Sequence, residues 1–226
     1  MCNTRWHLLE NPEAVAQEAR QRIVTAAHRA ITERGHFRIV LAGGQTPEQT
    51  YRLLRHASSD WAHWYVYYGD ERCVPEDAPE RNSVMAASAW LNHVAIPKEH
   101  IFPIPAHLGA AGATARYADV ISTVLPFDMV LLGLGEDGHT ASLFPGHAHP
   151  SGEWVHAVYA APKPPPERVS LSVTAFSNTR QLLFLVTGVN KRAAVTAWRR
   201  GECLPAAQVC PQVGVDVLLD RAILES

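Results

Sequence analysis

A glycine-rich loop that carries one aspartate and one histidine is the part of the chain best suited to acid–base chemistry. It spans residues 133–146 and directly follows the strongest apolar run, residues 127–132. Open α/β sheets present their sites in this way, because ligands bind beyond the carboxyl ends of the strands. The imidazole of His139 can transfer protons near neutral pH. The loop is also compatible with a tight turn in which Asp137 and His139 only cap the next element.

A second glycine-rich turn is suited to holding an anion. Gly43, Gly44, Gln45 and Thr46 lie between a predicted strand and a predicted helix, and Pro47 follows them. Exposed amides at the start of a helix, together with the helix dipole, bind phosphate without a metal. The turn lacks the Gly-Lys-Ser/Thr ending of a P-loop. A plain turn with Thr46 as the helix cap explains it equally well.

Cationic side chains accompany several of the predicted strands. Arg72 follows one strand, Arg168 opens a late strand, and Lys191 follows another. Each could be an ordinary solvated charge, or a member of a surface ion-pair cluster. Together they would form a pocket for a phosphorylated small molecule, because guanidinium groups bind oxyanions in bidentate geometry. Asp70 or Glu71 would then position Arg72 or contact sugar hydroxyls.

Metal and redox chemistry have weaker support. His147 and His149 form an H-x-H pair, but no matching array of Cys or His accompanies it, so we expect no metal. The cysteines form no C-x-x-C pair and no signal-peptide core precedes them, which favours free thiols and a cytoplasmic location. The cysteines are Cys2, Cys73, Cys203 and Cys210.

Composition sets the class of protein. The chain has 226 residues, 47% of them hydrophobic, and a formal net charge of −2. We therefore expect one α/β domain over residues 1–226, no nucleic-acid partner and no membrane span.

Strands and helices are predicted to alternate, which indicates a mostly parallel, doubly wound sheet with helices on both faces. Apolar spacing and turn residues give the approximate bounds. Helices are expected at 12–34, 47–56, 82–94, 114–125 and 191–199, and strands at 37–42, 64–68, 101–104, 127–132, 154–160, 168–173, 182–187 and 215–219.

These segments together resemble the motifs of the glucosamine-6-phosphate isomerase/6-phosphogluconolactonase family, in the family's order and over nearly the whole chain. The family's Gly-Gly-Ser-Thr-Pro loop corresponds to residues 43–47, with Gln45 in place of serine. Its G-x-G-x-D-G-H-T-A-S-L-F-P-G loop matches throughout residues 133–146. The other matches are G-D-E-R-x-V-P at 69–75, Ser-Asn as Arg81-Asn82, R-[IV]-[ST]-L at 168–171 and T-G-x-x-K at 187–191.

The resemblance implies a Rossmann-like fold of the sugar-phosphate isomerase/deaminase type. It implies hydrolysis of 6-phospho-D-glucono-1,5-lactone to 6-phospho-D-gluconate, in the oxidative pentose phosphate pathway, without a metal or organic cofactor. His139 would be the general base on water, Asp137 would orient it, and Arg72 would hold the phosphate or face the lactone carbonyl. A monomer or small homo-oligomer is expected. The remaining phosphate and substrate contacts would come from Gly43, Gly44, Gln45, Thr46, Asp70, Arg168 and Lys191.

Two other functions fit part of the pattern. A glucosamine-6-phosphate deaminase would use Asp70 to abstract a proton, but residues 142–145 lack the extra acidic residue of those enzymes. A sugar-phosphate sensor would keep the phosphate turn and could lose the catalytic residues, whereas Asp137 and His139 are both present here. The hydrolase is therefore the preferred interpretation.

Overall fold

Strands and helices alternate along most of the chain in the computed structural model, which describes residues 2–150 and 152–224. The strands are β1 (Thr4–Leu9), β2 (Phe37–Leu41), β3 (Trp64–Tyr68), β4 (Asp70–Arg72), β5 (Ile101–Phe102), β6 (Met129–Gly133), β7 (Val155–Val158), β8 (Arg168–Leu171), β9 (Leu182–Val186) and β10 (Val215–Asp220). The helices are α1 (Pro12–Arg34), α2 (Gln45–Leu54), α3 (Asn82–Ala89), α4 (Gly109–Ser122), α5 (Val173–Ser177), α6 (Arg192–Arg199) and α7 (Pro205–Gln208).

The main sheet has seven strands in the order β1-β10-β9-β6-β2-β3-β5, and all of its pairings are parallel. Its central strands β2, β6 and β9 are almost entirely buried, as expected for a parallel sheet covered on both sides. The predicted parallel α/β sheet is therefore confirmed.

Helices cover both faces of this sheet. His7 and Trp6 are neighbours on β1, so their side chains point to opposite faces. Nη2 of Arg22 on α1 lies 3.3 Å from Nδ1 of His7, whereas the Trp6 ring packs edge-on against Trp198 of α6 at 5.3 Å between centroids. Helices α1 and α6 therefore lie on opposite faces.

Helix α1 begins and ends where its sequence predicts. Oδ1 of Asn11 accepts a hydrogen bond from the Ala14 amide at 2.9 Å, and Pro12 occupies the first turn, where a missing N–H costs nothing. Gly35 ends the helix in the left-handed conformation, with φ of 78°. Although α1 is the longest helix, no helix among the described residues is both long and apolar enough to cross a membrane.

A second, smaller sheet was not predicted. Strands β4, β8 and β7 pair in that order and antiparallel. The sequence pattern predicts residues 70–72 at the end of the preceding strand. A strand of three residues carries no readable periodicity, and its partner β8 lies about a hundred residues further along the chain.

Other element bounds differ at places where local patterns are weak. Strand β1 and the short helices α5 and α7 were not predicted, and α4 begins five residues earlier than expected. Helix α3 ends at Ala89, because Trp90 leaves the helical region with φ of −153°. Strand β1 escaped detection because it is an edge strand with only half-buried alternate residues.

The expectation that all cysteines are free is wrong for one pair. Cys2 and Cys210 form a disulfide, with a Cα–Cα distance of 5.6 Å and a sequence separation of 208. The two residues meet because Asn3 and Val215, at the starts of adjacent strands, are hydrogen-bonded at 2.8 Å. Spacing along the chain could not reveal this. Cys73 and Cys203 are free.

Candidate active site

The cavity that contains the predicted site residues lies where the strand order of the main sheet reverses. From β2 the chain proceeds outward through β3 to β5, and then returns to place β6 on the other side of β2. Parallel sheets bind ligands at such a switch point. The turns after β2 and β6 lie close together there. A Cβ added to Gly133 would lie 4.0 Å from the carbonyl oxygen of Gly43.

The cavity measures about 320 Å³, which suits a small ligand. Seven of the predicted site residues line it, whereas Gln45, Thr46 and Asp137 do not. Its charged lining residues are four cations and one carboxylate, so it favours an anion. The predicted residues that line it are Gly43, Gly44, Asp70, Arg72, His139, Arg168 and Lys191.

His139 and Asp137 form a hydrogen-bonded pair beside this cavity. Nδ1 of His139 lies 2.5 Å from Oδ1 of Asp137, and the same oxygen accepts the His139 backbone N–H at 3.2 Å. Hydrogen bonds from His139 outweigh the effect of burial on Asp137 and hold its pKa below the ordinary value. An ionised carboxylate only accepts, so Nδ1 carries the proton and Nε2 keeps a free electron pair.

The protonation state of His139 suits a base. Burial lowers the pKa of His139, and the neighbouring Asp137 only partly offsets this, so the net pKa lies below the usual value. The imidazole is therefore mainly neutral near pH 7. A neutral ring with a fixed tautomer can accept a proton at Nε2 without first losing one.

Packing fixes the plane of the His139 ring. Phe144, which also lines the cavity, lies with its ring centroid 4.8 Å from that of His139. Position 135 must be glycine, since a Cβ there would lie 2.0 Å from Nδ1 of His139. The glycine at position 135 thus makes room for the imidazole, and Phe144 supports it.

The first turn of α2 leaves backbone amides available for an anion. The N-cap is Gly44, with φ of 104°, and no side chain caps the helix. The expectation that Thr46 is the cap is wrong, because Oγ1 of Thr46 lies 2.6 Å from Oγ1 of Thr187, after β9. Gln45 begins the helix without lining the cavity. Uncapped N–H groups and the helix dipole attract phosphate.

Two arginines lie side by side at the cavity. Arg72 on β4 and Arg168 on β8 are directly opposed cross-strand partners. Like charges in this arrangement repel, and Arg168 is only 5% exposed. Burial lowers the pKa of Arg168, the charge of Asp70 partly offsets this, and the charge of Arg72 lowers the pKa further. A bound anion would relieve this repulsion.

Asp70 is held by Ser142 and Asn82, which are not among the predicted site residues. Its Oδ2 accepts a hydrogen bond from Oγ of Ser142 at 2.7 Å, and its Oδ1 accepts one from Nδ2 of Asn82 at 3.0 Å. Asn82 also packs against the phosphate turn, since a Cβ on Gly43 would lie 2.1 Å from its Oδ1. These contacts join the segment 69–72 to both glycine-rich loops.

Glu71 is fully buried and caps α3 instead of facing the cavity. It accepts the backbone N–H of Asn82 at 2.8 Å and that of Ser83 at 2.9 Å. Its Oε2 also lies 3.4 Å from Nε of Arg81, which is 3% exposed. The carboxylate therefore occupies the position of a helix cap and neutralises a buried cation.

Metal ligation and cysteine chemistry find little support in the described residues. No three side chains of His, Cys, Asp or Glu there are placed to hold a metal ion. Nε2 of His149 bonds the Phe144 carbonyl at 3.0 Å, and burial lowers the pKa of the neighbouring His156 to about 4. Burial raises the pKa of Cys73 to about 11, so its thiol is protonated near pH 7.

Residues 10–218 match the model of a family described as glucosamine-6-phosphate isomerases/6-phosphogluconolactonase. The chain belongs to this family. This membership confirms the resemblance drawn from the motifs. The matched residues include both glycine-rich loops and the four cations that line the cavity.

Curated members of the family share about a third of their residues with the chain. A protein named 6-phosphogluconolactonase from Mycobacterium tuberculosis is 36% identical over 237 residues, covering 95% of the chain and 94% of that protein. A protein of the same name from Synechocystis is 33% identical, covering 95% of the chain and 94% of that protein. A probable chloroplastic 6-phosphogluconolactonase from rice is 36% identical over 72% of the chain, which spans only 56% of that relative.

Solved structures of the family share the fold. The 6-phosphogluconolactonase of Thermotoga maritima has a TM-score of 0.90 at 26% identity, with 97% of the chain and 100% of that protein covered. The 6-phosphogluconolactonase of Trypanosoma brucei has a TM-score of 0.87 at 26% identity, with 99% and 98% covered. A monomeric glucosamine-6-phosphate deaminase has a TM-score of 0.83 at 22% identity, with 97% and 98% covered, and shows the fold alone.

Proposed function

We propose that the chain hydrolyses 6-phospho-D-glucono-1,5-lactone to 6-phospho-D-gluconate, a reaction of the oxidative pentose phosphate pathway. One observation carries the proposal: the Asp137–His139 pair stands at the edge of a cavity lined by four cations. The pair supplies a neutral base, and the cations suit a phosphorylated substrate. The names of the family members with about a third of residues identical support the same reaction.

The proposed step needs only water as co-reactant. Nε2 of His139 accepts a proton from water while the water oxygen bonds to the lactone carbonyl carbon. Asp137 stabilises the imidazolium that forms, as the carboxylate of a catalytic triad does. The bond from the carbonyl carbon to the ring oxygen then breaks, and the ring oxygen takes the proton from Nε2. The product carries one new carboxyl group and one new hydroxyl group.

Phosphate binding is assigned to free backbone amides and cations around the cavity. The uncapped amides at the start of α2 and the side chains of Arg168 and Lys191 hold the phosphate. Arg72 lies beside Arg168 and can serve the phosphate or the developing oxyanion. Fixing the remote phosphate places the lactone carbon against His139, and such positioning contributes to the rate.

The hydrogen bonds of Asp70 favour lactone hydrolysis over deamination. A deaminase of this fold would use Asp70 to abstract a proton. Here both carboxylate oxygens accept hydrogen bonds, from Ser142 at 2.7 Å and from Asn82 at 3.0 Å. Both oxygens are therefore committed to protein donors. We therefore assign Asp70 to positioning and substrate contact.

The test is the rate of hydrolysis of freshly generated 6-phosphogluconolactone, followed by acid release at mildly acidic pH, where spontaneous opening is slow. The wild-type chain should exceed the uncatalysed rate, and His139→Ala should lose at least about 100-fold if His139 is the base. His28→Ala, which changes an exposed histidine on α1, should retain the wild-type rate. A wild-type rate equal to that of buffer would reject the proposal, and ammonia release from glucosamine 6-phosphate would be measured next.

A further inference from the structure

The proline-rich segment 162–166 contributes a further cation to the cavity, Lys163. Lys163 and Pro164 line the cavity together with His139 and Lys191. Prolines flank Lys163 on both sides, and their rings restrict the backbone. The side chain is therefore carried on a stiff segment at the edge of the site.

Arg168 holds this segment over the cavity. Nη2 of Arg168 donates to the carbonyls of Lys163 and Pro164 at 2.9 Å and 3.0 Å, and its Nε donates to the carbonyl of Pro165 at 3.1 Å. The guanidinium is buried and lies 5.6 Å from the centre of the Phe144 ring. Three charge-assisted hydrogen bonds to consecutive carbonyls fix where Lys163 is presented.

Lys163 adds positive charge beside two other residues of the cavity, Lys191 and His139. Burial is the main reason that the pKa of Lys191 lies below its ordinary value, and the charge of Lys163 lowers it further. Lys163 also lowers the pKa of His139, after the larger effect of burial. Cations gathered at a cavity with one lining carboxylate repel each other, and such perturbation is typical of a functional site.

We propose that Lys163 contacts the phosphate of the substrate and makes the enzyme selective for phosphorylated over unphosphorylated lactones, with Arg168 holding its segment in place. The inference takes the substrate from the proposed function and adds a specificity residue to it. The segment 162–166 is then a rigid arm whose lysine completes the phosphate site opposite the amides of α2.

Two variants of Lys163 and one of Lys98 form a matched set for testing this contact. Lys163→Met removes the charge and keeps the length of the side chain, Lys163→Arg keeps the charge, and Lys98→Met removes an exposed lysine that does not line the cavity. For the phosphorylated lactone, Lys163→Met should raise KM about 10-fold or more, as expected for a lost charge-assisted contact, and leave kcat within about two-fold. Lys163→Arg should restore KM, and Lys98→Met should not change it.

Unphosphorylated glucono-1,5-lactone separates phosphate binding from catalysis. Lys163→Met should leave kcat/KM for this substrate unchanged. An unchanged KM for the phosphorylated lactone, or an equal loss with both substrates, would overturn the proposal.

Calorimetric binding of 6-phosphogluconate and of gluconate tests Lys163 without turnover. If the wild-type chain hydrolyses neither lactone, the proposed function fails. Weaker binding of 6-phosphogluconate by Lys163→Met than by Lys98→Met would still support the phosphate contact. Equal binding by the two variants would reject it.

Discussion

At the scale of the residue, the central feature is an imidazole whose two nitrogens have different tasks. Nδ1 of His139 is committed to Asp137 at 2.5 Å, which leaves Nε2 for the substrate water. Burial and the carboxylate act in opposite directions on the pKa of His139, and burial dominates. The acid limb of the activity profile should therefore lie below the ordinary histidine value of about 6.5.

Asp137→Asn should slow catalysis and move the acid limb further down in pH. The amide cannot neutralise the imidazolium, so kcat should fall at least about 10-fold. Asp137 raises the pKa of His139, and its removal lowers that pKa. Because the base works when neutral, activity then persists to lower pH than in the wild type. Rates measured across the acid range check both effects.

Glu136→Gln is the control for this prediction. It removes the same charge from the neighbouring exposed position, which bonds Asn190 at 2.6 Å instead of His139. Its acid limb should match that of the wild type. An acid limb that moves upward in Asp137→Asn would contradict the assignment of His139 as a neutral base.

At the scale of the element, a helix cap connects the small sheet to the site. Glu71 on β4 accepts the first amides of α3, and the same helix begins with Asn82, which bonds Asp70. The position of Asp70 at the cavity thus depends on a carboxylate that does not face the cavity itself.

Glu71→Gln should destabilise the fold strongly. The substitution leaves Arg81 buried opposite a neutral group, and breaking a buried ion pair costs roughly 3–5 kcal/mol. The free energy of unfolding in urea measures this loss. Glu76→Gln changes an exposed partner of His107 and should cost less than about 1 kcal/mol. Equal losses in the two variants would show that the Glu71 contacts contribute nothing to stability.

Elements whose signals are local could be predicted from the sequence. Helix α1 has its cap, its apolar spacing and its terminal glycine all within one segment, and its bounds were predicted correctly. Strand β4 has three residues and is defined as a strand only by its pairing with β8. A pattern read along the chain cannot represent such a distant pairing.

The candidate site divides in the same way. The loop of Asp137 and His139 and the turn at Gly43 are contiguous motifs, and both could be read from the sequence. The opposition of Arg72 to Arg168 depends on strand register, so it could not be read. Lys163 is not among the predicted site residues, because only the fold brings its segment to the cavity.

At the scale of the whole molecule, the disulfide joins two distant parts of the chain. Cys2 precedes β1, and Cys210 precedes β10, its neighbour in the sheet. A cross-link between such distant residues restricts the unfolded chain more than the native one. A reducing cytoplasm would keep both thiols reduced. The disulfide therefore disagrees with the predicted cytoplasmic location.

Cys2→Ser should lower stability by roughly 2–4 kcal/mol under oxidising conditions. In the presence of a reductant the wild type and the variant should melt at the same temperature. Cys203→Ser, which alters an exposed free thiol and keeps the disulfide, serves as the control and should respond to the reductant as the wild type does. A wild-type melting temperature that does not change on reduction would show that the bond does not form or does not stabilise the protein.

The pairing of β1 also determines when the sheet can be completed. This strand lies at the edge, and β10 is its partner there. As the chain leaves the ribosome, β1 emerges before β10 and must wait for it. The main sheet therefore closes only after about two hundred further residues have emerged. Until β10 has emerged, β1 stays unpaired, and an unpaired strand edge can pair with other chains and aggregate.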